Sequence, residues 1–129
     1  MTKAKKKAPS GIVWFNVPAD DLKRAQKFYR GLFGWKIKPF RGMKDFMEID
    51  TGGAEASPNG GLTTRKAGEQ AVTNYISVES VDKFAAKIQK LGGKICVPKT
   101  AVPNMGYFAV CQDTENNGFG LWERNRNAK

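Results

Sequence analysis

Val13–Tyr29, VWFNVPADDLKRAQKFY, reads as a short apolar strand, a turn and the opening turns of a helix, and the rest of the chain can be laid out from it. Gly11 to Val17 is β-favouring. Alternation along it sets Ile12, Trp14 and Asn16 on one face and Val13, Phe15 and Val17 on the other. Pro18 stops the strand, and Asp20 or Asp21 is placed to cap a helix, where negative charge suits the N-terminus. Leu22, Ala25, Tyr29 and Leu32 recur at helical spacing with Phe28 beside them, and Gly34 terminates the pattern.

Downstream, Trp35–Phe40 and Asp45–Asp50 read as strands two and three, with Phe46, Glu48 and Asp50 on one face. Thr51–Gly60 carries turn chemistry, Gly61–Arg65 is a short fourth strand, and Lys66–Gln70 is a polar linker. The pattern then restarts. Ala71–Val78 is a β-type run. Ser80 caps a helix with Val81, Phe84, Ala85, Ile88 and Leu91 in phase, and Gly92 and Gly93 end it. Lys94–Val97, Tyr107–Gln112 and Phe119–Glu123 complete the strands, with a turn at Asp113–Asn117 and a proline-bearing loop over Val97–Gly106. That loop reads as a lid, a dimer contact or a plain connection. The expected fold class is α+β: two βαβββ modules with pseudo-two-fold symmetry, helices outside, and a curved mixed sheet enclosing a cavity. Residues 1–10 read as a disordered basic tail, 11–124 as a single domain with modules at about 11–66 and 71–124, and 125–129 as a second tail.

The bulk composition excludes more than it selects. The 129 residues suit one domain, with 40% hydrophobic and 26% charged residues. No run is long enough to span a membrane, and MTKAKKKAPS lacks the apolar centre of a secretory signal, so the expected location is cytoplasmic. The formal net charge is +10, to which Lys3, Lys5, Lys6 and Lys7 contribute. A basic surface attracts nucleic acid, anionic membranes or acidic metabolites. The absence of any RRM, KH, zinc-finger or helix-turn-helix signature argues against nucleic acid as the partner. The sequence contains no histidine, which removes the commonest general base and nitrogen ligand and excludes every Ser-His or Cys-His mechanism.

The motifs VPADDLKRAQKFYRGLFGW, NGGL (Asn59–Leu62), TNYISVES (Thr73–Ser80), GYFAVCQDTENN (Gly106–Asn117) and FGLWE (Phe119–Glu123) together resemble the vicinal oxygen chelate superfamily, the glyoxalase, bleomycin-resistance and extradiol-dioxygenase fold. The resemblance runs from Gly11 to about Glu123. Metal-dependent members place four ligands on inner strand faces, typically His or Gln, then Glu, His and Glu. Carried onto this sequence, those positions fall at Trp14, Gly61, Thr73 and Gly120, none of which is an ordinary divalent-metal ligand. The resemblance therefore implies the fold, a small-molecule ligand and a homodimer, with no metal and no cofactor.

Trp14, Asn16, Gly61, Thr73, Tyr75, Ser77, Gly120 and Trp122 are the candidate ligand-binding residues, broad rings with a few polar groups that suit a flat organic molecule. The competing reading is that these rings are core. Gly61 and Gly120 are expected to widen the cavity or to admit close approach. A lyase, isomerase or dioxygenase of the same fold is one alternative, either metal-dependent through ligands at other positions or working by acid–base catalysis with Glu48, Tyr75 or Asp45. An antibiotic-sequestering resistance protein is the other, and the basic charge argues against a cationic drug of the bleomycin type. Asp45, Glu48 and Asp50 otherwise form a solvated strand face, Glu123 a surface or interface charge, and Arg65 and Lys66 either meet an anionic ligand or are solvated. Cys96 and Cys111 would oppose each other if strands six and seven turned near Val102-Pro103, giving a redox-sensitive pair, or would remain two reduced, buried thiols.

Overall fold

The computed structural model describes residues 10–41, 43–53, 58–66 and 71–129. Most of the expected basic tail, the middle of the Thr51–Gly60 turn and most of the Lys66–Gln70 linker lie outside the described residues. The chain divides into two units, Val13–Asn74 and Tyr75–Lys129, the latter joined by the chain up to Ile12. Each is a βαβββ module.

In the first, β1 (Ile12–Ala19) leads into α1 (Leu22–Phe33), then β2 (Lys36–Pro39), β3 (Phe46–Asp50) and β4 (Asn59–Thr64). The strand order is β2-β3-β4-β1, with β4 parallel to β1 and the other pairs antiparallel. Asp21 is the N-cap of α1, its carboxylate accepting from Arg24 N–H at 3.0 Å. Gly34 closes the helix in the left-handed region at φ 72°, a conformation that favours glycine. Asp20 instead meets Arg65 Nε at 3.0 Å, so Arg65 is an ion-pair partner rather than a solvated cation. The core lies between α1 and one sheet face, where Ala19, Ile37, Met47, Ile49 and Leu62 are buried against Phe15, Val17, Leu22, Ala25, Tyr29 and Trp35. Leu32 and Phe28, placed by spacing on or beside the packing stripe, are instead 59% and 60% exposed. The aromatic stack of Tyr29 on Trp35, at 5.5 Å and 16°, closes that end of the core without them.

The second module repeats the topology. β5 (Thr73–Ser77) leads into α2 (Val81–Lys90), followed by β6 (Lys94–Val102), β7 (Gly106–Gln112) and β8 (Gly118–Arg124), in the order β5-β8-β7-β6. Val78, Val81, Ala109, Cys111 and Leu121 form its core, packed by Ile76, Phe84, Ile88, Ile95, Tyr107 and Phe119. Leu91, read as the last residue of the stripe, is the C-cap and is 70% exposed.

Three expectations change here. β6 continues to Val102, so most of the anticipated Val97–Gly106 loop is strand, and a tight turn at 103–105 replaces the lid. β6 can carry Pro98 because it is the outer strand of its half-sheet and its pairing with β7 is irregular there. That irregularity also changes the cysteine register: Ile95, not Cys96, opposes Cys111, and both thiols are free. Only Cys111 is buried; Cys96 is exposed. Glu123, expected to be a surface or interface charge, is half-buried, and its carboxylate accepts from Val81 N–H at 2.8 Å and caps α2. Ser80 Oγ accepts from Lys83 N–H at 3.1 Å, so two of the four free amides of that helix end are satisfied.

Candidate functional site

Each half-sheet has one face under its helix and one face free of it, and the sequence candidates fall on the second. In the first module the register pairs Asn16 with Gly61 across β1–β4, and Gly61 with Glu48 across β4–β3. Trp14, Asn16, Gly61, Phe46 and Glu48 therefore share one face. Trp14 Nε1 donates to Asn16 Oδ1 at 2.7 Å, which fixes both side chains. The Trp14 indole stacks against Phe46 at 6.2 Å and 21°, and Phe40 meets Phe46 edge-on at 5.5 Å. A Cβ at Gly61 would collide with the Phe46 ring and with Asn16 Oδ1, 2.7 Å away. Gly61 thus seats a ring instead of widening a space, a common use of glycine on a twisted sheet.

In the second module Tyr75 pairs with Gly120 and Ser77 with Trp122 across β5–β8, while Phe108 pairs with Trp122 and Val110 with Gly120 across β8–β7. The Tyr75 ring lies over Gly120, where a Cβ would meet it at Cγ as well as at the ring edge. Tyr75 meets Phe108 edge-on at 6.3 Å and 76°. The Trp122 indole covers Gly106 in the same way. Ser77 is held through its backbone, whose N–H donates to Gly11 O at 3.0 Å. Thr73 opens β5 and is half-buried, like Trp14, Asn16, Tyr75, Ser77 and Trp122; Gly61 and Gly120 are buried beneath their rings.

The structure therefore brings Trp14, Asn16 and Gly61 together on one half-sheet face, and Tyr75, Ser77, Gly120 and Trp122 on another. The sequence reading missed Phe108 and Gly106 as members of the second face. Strict alternation through GYFAVCQ, in phase with Gly120 and Trp122, is the signal that identifies them. Asp45 is exposed and at most weakly bonded, accepting from Thr64 Oγ1 at 3.5 Å. Glu48 is half-buried on the Phe46 face. Among the described residues no three His, Cys, Asp or Glu side chains converge as a metal centre requires. No described helix is long and apolar enough to cross a membrane.

Cys111 lies on the opposite, helix-covered face, and burial, with a smaller contribution from Cys96, pushes its thiol up to about 11. It is therefore protonated and a poor nucleophile at neutral pH.

A family profile described as bleomycin resistance protein-like, N-terminal, matches residues 11–52. A glyoxylase-like protein of Mycobacterium tuberculosis, CFP32, is 29% identical over 122 residues, covering 88% of this chain and 45% of its own length. The chain thus spans about half of that relative. A glyoxylase-like domain-containing protein of Didymella fabae is 29% identical over 121 residues, covering 89% of this chain and 92% of the relative. Among solved structures, a variant of methylmalonyl-CoA epimerase from Streptomyces coelicolor superposes with a TM-score of 0.64 at 15% identity, covering 95% of this chain and 99% of that one, a likeness of fold alone. Two βαβββ modules, the profile over β1–α1–β2–β3 and these relatives agree in supporting the vicinal oxygen chelate superfamily, the glyoxalase, bleomycin-resistance and dioxygenase fold.

Proposed function

We propose that this protein is a metal-independent member of the superfamily that binds a small, flat organic molecule on the aromatic strand face of its modules. The observation that carries this reading is the paired ring-over-glycine arrangement, Phe46 over Gly61 and Tyr75 over Gly120. Four or more half-buried rings with few polar groups offer stacking surface to a planar ligand. Asn16 keeps its amide N–H groups free of protein partners among the described residues, and so does the Ser77 hydroxyl. These groups would orient a ligand carbonyl or carboxylate.

Metal independence is supported by the chemistry of the four positions that the resemblance assigns to ligands. The Trp14 indole nitrogen is a donor only, and its proton is already engaged by Asn16. Gly61 and Gly120 have no side chain, and rings fill the space above them. The Thr73 hydroxyl is the one remaining oxygen, and one neutral oxygen does not hold a divalent cation. The residues at these positions therefore do not fit a divalent metal.

A homodimer belongs to this reading, since members of the superfamily pair their modules across chains; sedimentation giving a clean monomer removes that part. Binding itself is tested by a thermal-shift screen of planar aromatic acids and neutral heterocycles, repeated on Tyr75→Ala and Trp14→Phe. The expected outcome is a ligand that raises Tm for the native chain and loses its effect in Tyr75→Ala. Hits insensitive to both substitutions would place the ligand elsewhere.

A further inference from the structure

The helix-free face of the first half-sheet carries a polar row that its counterpart in the second module lacks. Across β1, β4 and β3 the register sets Asn16, Gly61 and Glu48 abreast. In the second module the same row is Tyr75, Gly120 and Val110, extended by Val97 on β6. The scaffold folds with apolar residues at these points, so it does not require the amide or the carboxylate of the first row. Glu48 is half-buried on the Phe46 face, yet its carboxylate has no hydrogen-bond or ion-pair partner among the described residues. The acids on either side of it along the chain are engaged: Asp50 accepts from Gly52 N–H at 2.9 Å, and Asp45 from Thr64 Oγ1 at 3.5 Å. Lys38 stands opposite Glu48 across β2–β3 but is exposed and forms no ion pair with it, and a surface pair of that kind holds a carboxylate only loosely. A half-buried carboxylate without a donor carries a desolvation cost that a ligand N–H relieves.

The Phe46 ring lies over Gly61, the middle member of the row, and the Trp14 indole stacks against it. Trp14 Nε1 can only donate, so its bond to Asn16 Oδ1 assigns the amide and leaves Nδ2 as the group without a partner. The aromatic shelf thus has an unused donor on one side and an unused acceptor on the other. Resting on the aromatic-face reading, we propose that the ligand is a neutral single-ring nitrogen heterocycle, its ring N–H donating to Glu48 and its carbonyl, on the opposite edge, accepting from Asn16 Nδ2. The two side chains stand two strand spacings apart, about 10 Å at the backbone, which suits one six-membered ring with a hydrogen bond at each edge better than a fused pair. A ring carboxylate would meet the Glu48 charge, and a cation would meet the chain's net charge of +10, so the neutral donor–acceptor ring satisfies both conditions.

Titration of the isotopically labelled full chain with 4-pyridone, N-methyl-4-pyridone and benzoate, followed by amide NMR shifts, tests the proposal. The first carries N–H and carbonyl on opposite edges, the second keeps ring and carbonyl without the donor, and the third is an acid. 4-Pyridone binds at least about tenfold more tightly than the other two, the size of one hydrogen bond to a charged group, and shifts the Gly61 amide. Glu48→Val, which copies the residue of the second module, removes that preference without lowering Tm, whereas Phe46→Leu weakens both pyridones alike. Equal affinity of the two pyridones for the native chain overturns the donor–acceptor assignment, and so does a preference that survives in Glu48→Val. If both pyridones bind equally and are lost together in Phe46→Leu, the aromatic-face reading stands without that assignment. Tighter binding of benzoate overturns it in favour of an acidic ligand. No shift on the first-module face with any of the three overturns both readings for this face.

Discussion

The two modules share every topological choice and differ in what they put on the same scaffold positions. Leu62 and Leu121 occupy equivalent buried points, each following the glycine that seats a ring. Phe46 and Phe108 are equivalent by register, whereas Asn16 corresponds to Tyr75 and Glu48 to Val110. The first face is therefore an aromatic pair with an amide and a carboxylate, and the second is almost wholly apolar. The helices diverge too: the N-terminus of α2 is capped twice and the helix buries Val81 completely, while α1 has a single N-terminal side-chain cap and no fully buried residue. Backbone pattern is held by the periodicity of small and apolar residues, which leaves the exposed positions free to acquire separate chemistries.

The sharpest way to break this equivalence is to empty the matched core points. Leu62→Ala and Leu121→Ala should each cost about 2–5 kcal/mol in denaturant unfolding, because both side chains are essentially inaccessible and neighbours relax only partly. A small loss in one and a large loss in the other would show that the modules are not energetically matched. Next in size, Gly120→Ala should cost about 1–3 kcal/mol by displacing the Tyr75 ring near its root. Gly61→Ala should cost less, since the obstructing atoms are the far edge of Phe46 and one amide oxygen. Equal costs would mean that ring seating is not the reason for these glycines.

The helix caps come third. Ser80→Ala with Glu123→Gln should destabilise by about 1–3 kcal/mol. Asp21→Ala should cost about 1 kcal/mol, since it removes a single acceptor. Smallest is the acid dependence of the Asp113–Asn117 turn. Hydrogen bonds from the Asn117 and Glu115 amides hold the Asp113 carboxyl below its ordinary range. Its stabilisation is present above the unfolded carboxyl's pKa and fades as pH falls through the lower, folded value. Asp113→Asn should flatten the acid limb of a pH–Tm profile, and an unchanged limb would show that the turn does not contribute. Cys111 behaves with the opposite sign: its raised thiol stabilises fully below the ordinary thiol range and loses that contribution as pH climbs toward about 11. One thiol should react with an aromatic disulfide reagent in the native chain and two after denaturation.

The fold was legible because its signals are local. An alternating strand, an aspartate cap, Gly34, and the recurrence of that pattern from Thr73 specify both modules, although Pro18, expected to stop β1, is paired with Thr63 inside a strand that runs to Ala19. What was not legible depends on partners far apart in sequence. Glu123 caps a helix 42 residues away, Arg65 finds Asp20 across 45, and the irregular β6–β7 pairing that separates Cys96 from Cys111 leaves no mark in composition. Leu32 and Leu91 obey helical spacing yet remain exposed, because each lies at a helix end beyond its half-sheet core. Of the candidate site, parity correctly grouped Trp14 with Asn16 and Tyr75 with Ser77. The rings filling the space above Gly61 and Gly120 could not be read, since glycine signals close approach without saying what approaches.

The central claim, binding without a metal, is tested most directly by elemental analysis of the purified full chain after growth with excess zinc, nickel, manganese and iron. Metal independence predicts less than about a tenth of an equivalent of each, against the near-stoichiometric retention of a preformed site. Close to one equivalent of any of them would contradict it and send the search for ligands to Glu48, Asp45, Asp50 and Glu123.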